Sequence, residues 1–447
     1  MRKPEETIDI PTVIDASRVG AFQIWILVLV GLTVVIDGFD VQAMGFVAPA
    51  IIDAWGIDKA SLGPVFGAGL LGMLLGSLFF SVLADKVGRR PVLIWATLAF
   101  AFCMLATPFV TTIDELRWIR FLTGLGLGAI MPNAMALAGE FSPKRSRVTI
   151  MMLVSCGFTV GAVLGGLISA LLIPAWGWQS VFIVGGVIPL LLASVMFFQI
   201  PESMLFLVLR GKRLDLVSAC LRRIDSSLVV NARTHFTLPE ARQGAVPVVE
   251  LFREGRARTT LLLWMINFMN LLNLYFLSNW LPTIAKSVGA STSTAVLVGT
   301  TLQVGGVVGT LFMGPIIDRI GFFKVLVPTF LVAAIAISAI GQPGLSLAIL
   351  LVVVSITGVC IIGGQPAVNA MAATYYPTAL RSTGVGWSLG VGRVGSILGP
   401  VIGGELIRLN WSTTDLFLAV SVPAAISAVV LILLAWETRV TLKARIA

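Results

Sequence analysis

The sequence predicts an all-α membrane protein of twelve transmembrane helices arranged as two six-helix halves, and three features of the chain lead there. The 447 residues are 57% hydrophobic but only 12% charged, about half the ~25% of a soluble chain, so long uncharged stretches are unavoidable. A polar, basic segment, residues 201–258, divides those stretches six and six. Short motifs of the first six stretches then return in the second six at nearly constant offsets. A mean hydropathy of +0.97 makes lipid the natural solvent. A β-barrel would alternate apolar and polar residues over segments of about ten; unbroken apolar runs of about twenty exclude it.

Along the chain, a mixed-charge tail precedes a first apolar run that is far too long for a signal-peptide core, so it is expected to remain as span 1, over 21–51. Span 2 (60–83) stops at Asp85-Lys86, span 3 (91–110) starts after Arg89-Arg90, and span 4 (116–140) ends at Glu140. Span 5 (148–173) follows Lys144, Arg145 and Arg147, and span 6 (178–199) closes the first half. After the central loop, apolar windows of similar length predict spans 7 to 12 over 259–284, 293–316, 323–342, 345–373, 384–406 and 413–436. The expected units are thus 1–200, the loop 201–258, and 259–447.

Basic residues set the orientation. Of the 31 Lys and Arg, 25 fall in the two tails, the central loop and the loops after spans 2, 4, 8 and 10. By the positive-inside rule both termini and the central loop are cytoplasmic, as expected for a bacterial inner-membrane protein. The net charge of +9 is then topology, and no nucleic-acid partner is expected. Four scattered cysteines and a single histidine, His235 in the central loop, offer no disulfide framework or metal cluster. No G-x4-GK-[ST] loop occurs, which disfavours an ATP-driven pump. No cofactor is expected, and a monomer suffices.

The repeat is specific. Asp37, Asp40 and Pro49 recur as Asn270, Asn273 and Pro282, and Asp85-Lys86 as Asp318-Arg319, all at an offset of 233. Asn133-Ala-Met-Ala recurs as Asn369-Ala-Met-Ala, with Arg145-Ser matching Arg381-Ser; the glycines Gly157, Gly161, Gly165 and Gly166 recur as Gly395, Gly399, Gly403 and Gly404. Duplicated six-helix halves are a transporter architecture with its substrate site near the midplane.

The loop Ser81-Val-Leu-Ala-Asp85-Lys86-Val-Gly88-Arg89-Arg90 resembles the signature of the major facilitator superfamily, with Ser81 at its usual first glycine. Gly314-Pro-Ile-Ile-Asp318-Arg319-Ile-Gly321 is its degenerate copy, and Arg120-x3-Gly124-x-Gly126-x-Gly128 is similar to the superfamily's span 4 motif. More narrowly, Asp37-Gly38-Phe39-Asp40, Leu262-Leu-Trp264 with Asn279-Trp280-Leu281-Pro282, and Tyr376-Pro377 through Arg381, Gly384 and Gly386 to Val391-Gly392-Arg393 resemble the aromatic acid:proton symporter family. That resemblance implies the major facilitator fold, import of benzoate, hydroxybenzoate or a related aromatic carboxylate with protons, and a need for both aspartates.

A charge near the bilayer centre costs at least about 2.5–3.5 kcal/mol, so each is a functional candidate. Asp37 and Asp40 lie about 15 and 18 residues into span 1 and share one helix face, where two carboxylates cannot both ionise cheaply. They are expected to carry the coupled proton; the alternative is a structural pair capped by Arg120 or backbone. Arg120 either pairs with one of them or reaches to the interface. Arg393, about nine residues into span 11 with no acid at its depth in that half, is the candidate grip on the substrate anion. Phe39, Tyr275 and Trp387 offer stacking surface, and Asn270, Asn273, Gln365 and Asn369 polar pins, with plain packing and helix-to-helix hydrogen bonds as alternatives. Asp85, Arg89, Arg90, Glu140, Asp318 and Arg381 are expected to form an inner gating latch. The expected activity is proton-coupled import by alternating access; a drug or organic-anion exporter and a non-transporting aromatic-acid sensor are the rivals. The expected protein is not an enzyme.

Overall fold

In the computed structural model, which describes residues 7–211, 213–225, 228, 234–237, 247–377 and 380–446, twelve helices are long and apolar enough to cross a membrane. Spans 1 to 6 are Ala21–Trp55, Lys59–Val87, Arg89–Phe109, Ile113–Glu140, Lys144–Trp176 and Gln179–Gln199; spans 7 to 12 are Ala257–Ser287, Thr292–Ile320, Phe322–Ile340, Leu347–Tyr375, Thr383–Arg408 and Thr413–Glu437. Most overrun their apolar windows, and the span 12 helix continues to Ile446, because a helix continues through polar residues once its bonds propagate.

Local chemistry punctuates these helices. The even-numbered spans start on the side away from the central loop, and five of them open on a side-chain cap. Asp58 accepts from the Ala60 N–H (3.2 Å), Thr112 from Glu115 (3.2 Å), Ser291 from Thr294 (3.2 Å), Ser346 from Ile349 (3.4 Å) and Ser412 from Asp415 (3.1 Å). Spans 2 and 8 end at Gly88 and Gly321, with φ of 108° and 89°, a backbone that side chains resist. These two glycines are repeat mates, which explains why the degenerate copy of the loop keeps its glycine. Span 4 breaks at Ala129, three residues before Pro132, which denies the Gly128 carbonyl its partner.

The repeat reappears as packing. Span 1 packs on 5, 2 on 4 and 3 on 6; correspondingly 7 packs on 11, 8 on 10 and 9 on 12. Gly161 lets span 5 approach span 1 so closely that a Cβ there would lie 1.8 Å from the Val35 carbonyl oxygen; its mate Gly399 would meet the Leu272 oxygen at 2.4 Å. The halves meet along 5 and 8, 2 and 11, and 1 and 7.

Closest approaches between the halves lie away from the central loop. Gly63 backs onto Gly404, Gly166 onto Thr300, and Phe66 meets Trp280 edge-on at 5.1 Å. Spans 1 and 7 face each other at repeat-equivalent positions: Gly45 packs against the Ser278 carbonyl, and Asp53 pairs with Lys286, both 233 residues apart. At the other end Asp85, Asp318 and Arg381 are exposed on spans 2, 8 and 11. The halves thus make their close contacts at the end away from the central loop.

The central segment is more structured than the sequence indicates. It carries helices Met204–Leu209 and Leu214–Ile224 and a turn at Val248–Phe252. His235–Thr237 pairs in parallel with Thr7–Asp9, so the expected all-α chain includes one two-stranded ribbon. Tail helix Ile10–Ala16 follows, held where the Arg145 guanidinium donates to the Asp15 carbonyl at 3.1 Å.

An exposed ion pair contributes about 1 kcal/mol at most, enough to bias a near-balanced closure. Asp53→Lys should therefore shift the population severalfold toward outward opening, and Asp53→Lys/Lys286→Asp should restore it. Spin-label distances across the outward ends of spans 2 and 11 measure this.

Candidate functional site

Asp40 is fully buried and held by a two-pronged bond, Arg120 Nη1 to Oδ1 and Nη2 to Oδ2, each 3.1 Å. Arg120, only 4% exposed, also reaches the Asp40 carbonyl at 3.4 Å and the Met104 sulfur at 3.5 Å, and lies 6.0 Å over the Phe182 ring. The choice between pairing and snorkelling is thereby settled as pairing. Both members lie inside the N-terminal half.

Asp37 sits one turn nearer the loop side and is 2% exposed, and its Oδ1 has no hydrogen-bond partner. The two aspartates are therefore not equivalent. Arg393 lies in the opposite half, on span 11. Among the described residues no carboxylate lies within 4 Å of it; instead Nη1 donates to the Tyr275 hydroxyl at 3.2 Å and contacts the Met73 sulfur at 3.3 Å. Arg393 is half-buried. A buried acid with an unpartnered oxygen in one half and an arginine without an ion pair among the described residues in the other thus both lie at mid-depth of their spans.

Beside them, spans 7, 10 and 11 share an amide network. Asn270 donates to Gln365 (2.6 Å) and to the Ile361 carbonyl (3.1 Å), Gln365 to Asn267 (2.8 Å) and Asn369 (3.1 Å), and Asn267 to Ser388 (2.6 Å). Asn270 Oδ1 stays buried without a partner. Asn267 and Ser388 escaped the sequence reading, although Asn267 lies one turn before Asn270 on the same face.

Several expected site residues point elsewhere. Phe39 packs against Gly165 and Gly185, in the slot those glycines leave between spans 5 and 6. Asn273 bonds the span 12 backbone, donating to the Val420 carbonyl (2.8 Å) and accepting from the Ala424 N–H (3.2 Å) once its amide is oriented to satisfy both atoms. Trp387 stacks on Trp264 with centroids 5.9 Å apart, nearer the loop side than Arg393. Tyr376, whose phenol burial pushes above its usual range, packs on Gly384 close by.

Of the residues expected to form a latch, only Arg89 and Glu140 form an ion pair with each other among the described residues. Arg89 pairs with Glu140 at 2.8 Å, and Ser203 Oγ donates to Glu140 at 2.7 Å. Glu202 accepts from the N–H groups of Arg89 (2.9 Å), Arg90 (3.1 Å) and Ser203 (2.8 Å), capping span 3 where the helix dipole favours an anion. The Arg90 guanidinium bonds the Phe197 carbonyl. Asp85, Asp318 and Arg381 are exposed and form no ion pair among the described residues. Glu202 and Ser203, part of a Pro201-Glu202-Ser203 triplet in the sequence, were given no role there, because only the folded chain brings them to spans 3 and 4.

Two pseudo-symmetric six-helix halves, with a buried acid in one and a deep arginine in the other, are the architecture of a membrane transporter. The sequence profile of the Major Facilitator Superfamily matches residues 30–246 and 263–446, and the chain belongs to that superfamily. It is 41% identical over 426 residues to the 4-hydroxybenzoate transporter PcaK of Pseudomonas putida, covering 95% of each chain. It is 32% identical to the benzoate transport protein of Acinetobacter baylyi, covering 96% of this chain and 92% of that one. Among solved structures, a bacterial homolog to the human lysosomal transporter Spinster superposes with a TM-score of 0.72 at 17% identity, covering 93% of this chain and 97% of that chain, a likeness of fold alone. These relatives are transporters rather than enzymes.

Removing one partner of a buried ion pair costs about 3–5 kcal/mol, because the other charge is stranded. Arg120→Ala should lower thermal stability in detergent by that order, and Asp40→Asn/Arg120→Gln should recover much of it.

Proposed function

We propose that the protein imports an aromatic carboxylate together with a proton by alternating access. The observation that carries this reading is the division of roles between the halves: Asp40 is bonded by Arg120, leaving Asp37 and Arg393 as an acid and a cation on opposite halves, neither in an ion pair among the described residues.

Charge balance then supplies the coupling. Empty, ionised Asp37 and Arg393 cancel. With a substrate anion on Arg393 and a proton on Asp37 the site again sums to zero. Anion alone leaves one uncompensated negative charge, and proton alone one positive charge. A charge uncompensated at mid-depth costs at least about 2.5–3.5 kcal/mol, which holds back the half-loaded forms about a hundredfold. Only the empty and doubly loaded protein changes sides readily, which is symport.

Arg393 supplies a planar fork for a carboxylate. Tyr275 holds it in place, and the Met73 thioether offers a polarisable contact for an aromatic ring. The spare Asn270 oxygen is an acceptor suited to a ring hydroxyl. The similarity to transporters of 4-hydroxybenzoate and benzoate supports this substrate class. Basic loops put the termini and central segment on the cytoplasmic side of the inner membrane, so the close contacts between the halves lie at the outward end. One chain contains both halves of the site, so a monomer is sufficient.

Proteoliposome uptake of labelled 4-hydroxybenzoate, benzoate, phenylpropionate and an aliphatic acid, with and without a protonophore, tests the reading. Aromatic acids should accumulate only while the proton gradient stands; accumulation indifferent to the protonophore refutes coupling. Asp37→Asn should abolish accumulation yet keep substrate exchange. Arg393→Ala should abolish both, with affinity lowered at least tenfold.

A further inference from the structure

Away from the transport path, a cavity of about 520 Å³ opens between the linker helix Leu214–Ile224 and the loop-side ends of spans 1, 3 and 6. Its walls combine two chemistries. Phe22, Phe198 and Phe206 line it together with Arg90, Arg213 and Arg223. None of these three arginines has a carboxylate within 4 Å among the described residues. Arg223 lies 5.3 Å over the Phe22 ring, and the Arg90 Nε is buried without a partner. Glu202 also lines the cavity, but its Oε1 already accepts three backbone N–H bonds.

The cavity sits where spans 1 and 3 begin and span 6 ends, at the level of the lipid headgroups. Its rim is strongly apolar: Phe198 is 83% exposed and Val87 50%. A guanidinium cluster beneath an apolar, lipid-facing rim matches a molecule with a phosphodiester head and acyl tails. Arginine forks bind phosphate oxygens with two donors each, and basic pockets between helices on this side suit anionic headgroups.

We infer that this cavity binds the headgroup of an anionic phospholipid, with Arg213 and Arg223 gripping the phosphate and Phe198 meeting the acyl chains. The amphipathic linker helix thereby docks against the membrane through a bound lipid, beside the Glu202 cap of span 3.

The full-length protein, delipidated and placed in phosphatidylcholine nanodiscs with graded phosphatidylglycerol, provides the test, with retained lipid counted by native mass spectrometry. Phosphatidylglycerol should be retained over phosphatidylcholine. Each arginine near the surface should contribute about fivefold, so Arg213→Gln/Arg223→Gln should weaken retention about twenty-five-fold, and Arg213→Lys/Arg223→Lys should keep part of it. The single Arg213→Gln, at an exposed position, gives the fivefold step if the double variant fails to fold. Equal retention of the two lipids, or retention unaffected by the glutamine substitutions, overturns the proposal. So does displacement by millimolar inorganic phosphate, which would assign the site to a soluble anion.

Discussion

Everything at the centre of this protein follows from the difficulty of keeping charge inside a membrane. The Arg120–Asp40 bond satisfies two ionised groups within one half, with both prongs at 3.1 Å. By occupying Arg120, it leaves Asp37 without an ion pair among the described residues, and the other deep arginine, Arg393, belongs to the other half. The acid proposed to carry the proton is thus separate from the acid that Arg120 holds. Two carboxylates a turn apart acquire different chemistry because one guanidinium reaches only one of them.

The scaffold is nearly symmetric and the chemistry is not. Helix pairings repeat between the halves, as do Gly88 and Gly321 or Gly161 and Gly399, because backbone geometry demands the same residue in both places. Asp37 and Asp40 have amide counterparts. Asn270 joins a network with Gln365, whereas Asn273 ties span 7 to span 12. Acidity on one side and polar neutrality on the other make the site asymmetric without disturbing the packing that the two halves share.

Twelve spans, the six-plus-six division and the deep charges were legible in the sequence because they rest on composition and on the cost of burying charge, which act residue by residue. Arg120 was legible as a buried charge, but its choice of Asp40 was not. Phe39 was misplaced because helix periodicity assigns a face without saying which neighbour fills it; the slot between Gly165 and Gly185 decides. Trp387 was drawn away from Arg393 by Trp264, a contact that depends on how spans 7 and 11 cross. Glu202 was hidden because its role, capping span 3, needs two segments more than a hundred residues apart. The repeat correctly located the loops carrying Asp85 and Asp318. Latching, however, depends on the relative position of the halves, which a linear sequence does not encode.

The pairing of Asp53 with Lys286 has a consequence for how such a chain arose. Positions related by the duplication face each other across the internal twofold axis, so in an ancestral homodimer each residue there would have met its own copy. Two aspartates or two lysines would repel, since a symmetric interface must be self-complementary. Opposite charges at that point require two genetically distinct halves. The pair therefore marks divergence of the two halves from one another, and like charges at that point would oppose association of two copies of the same half.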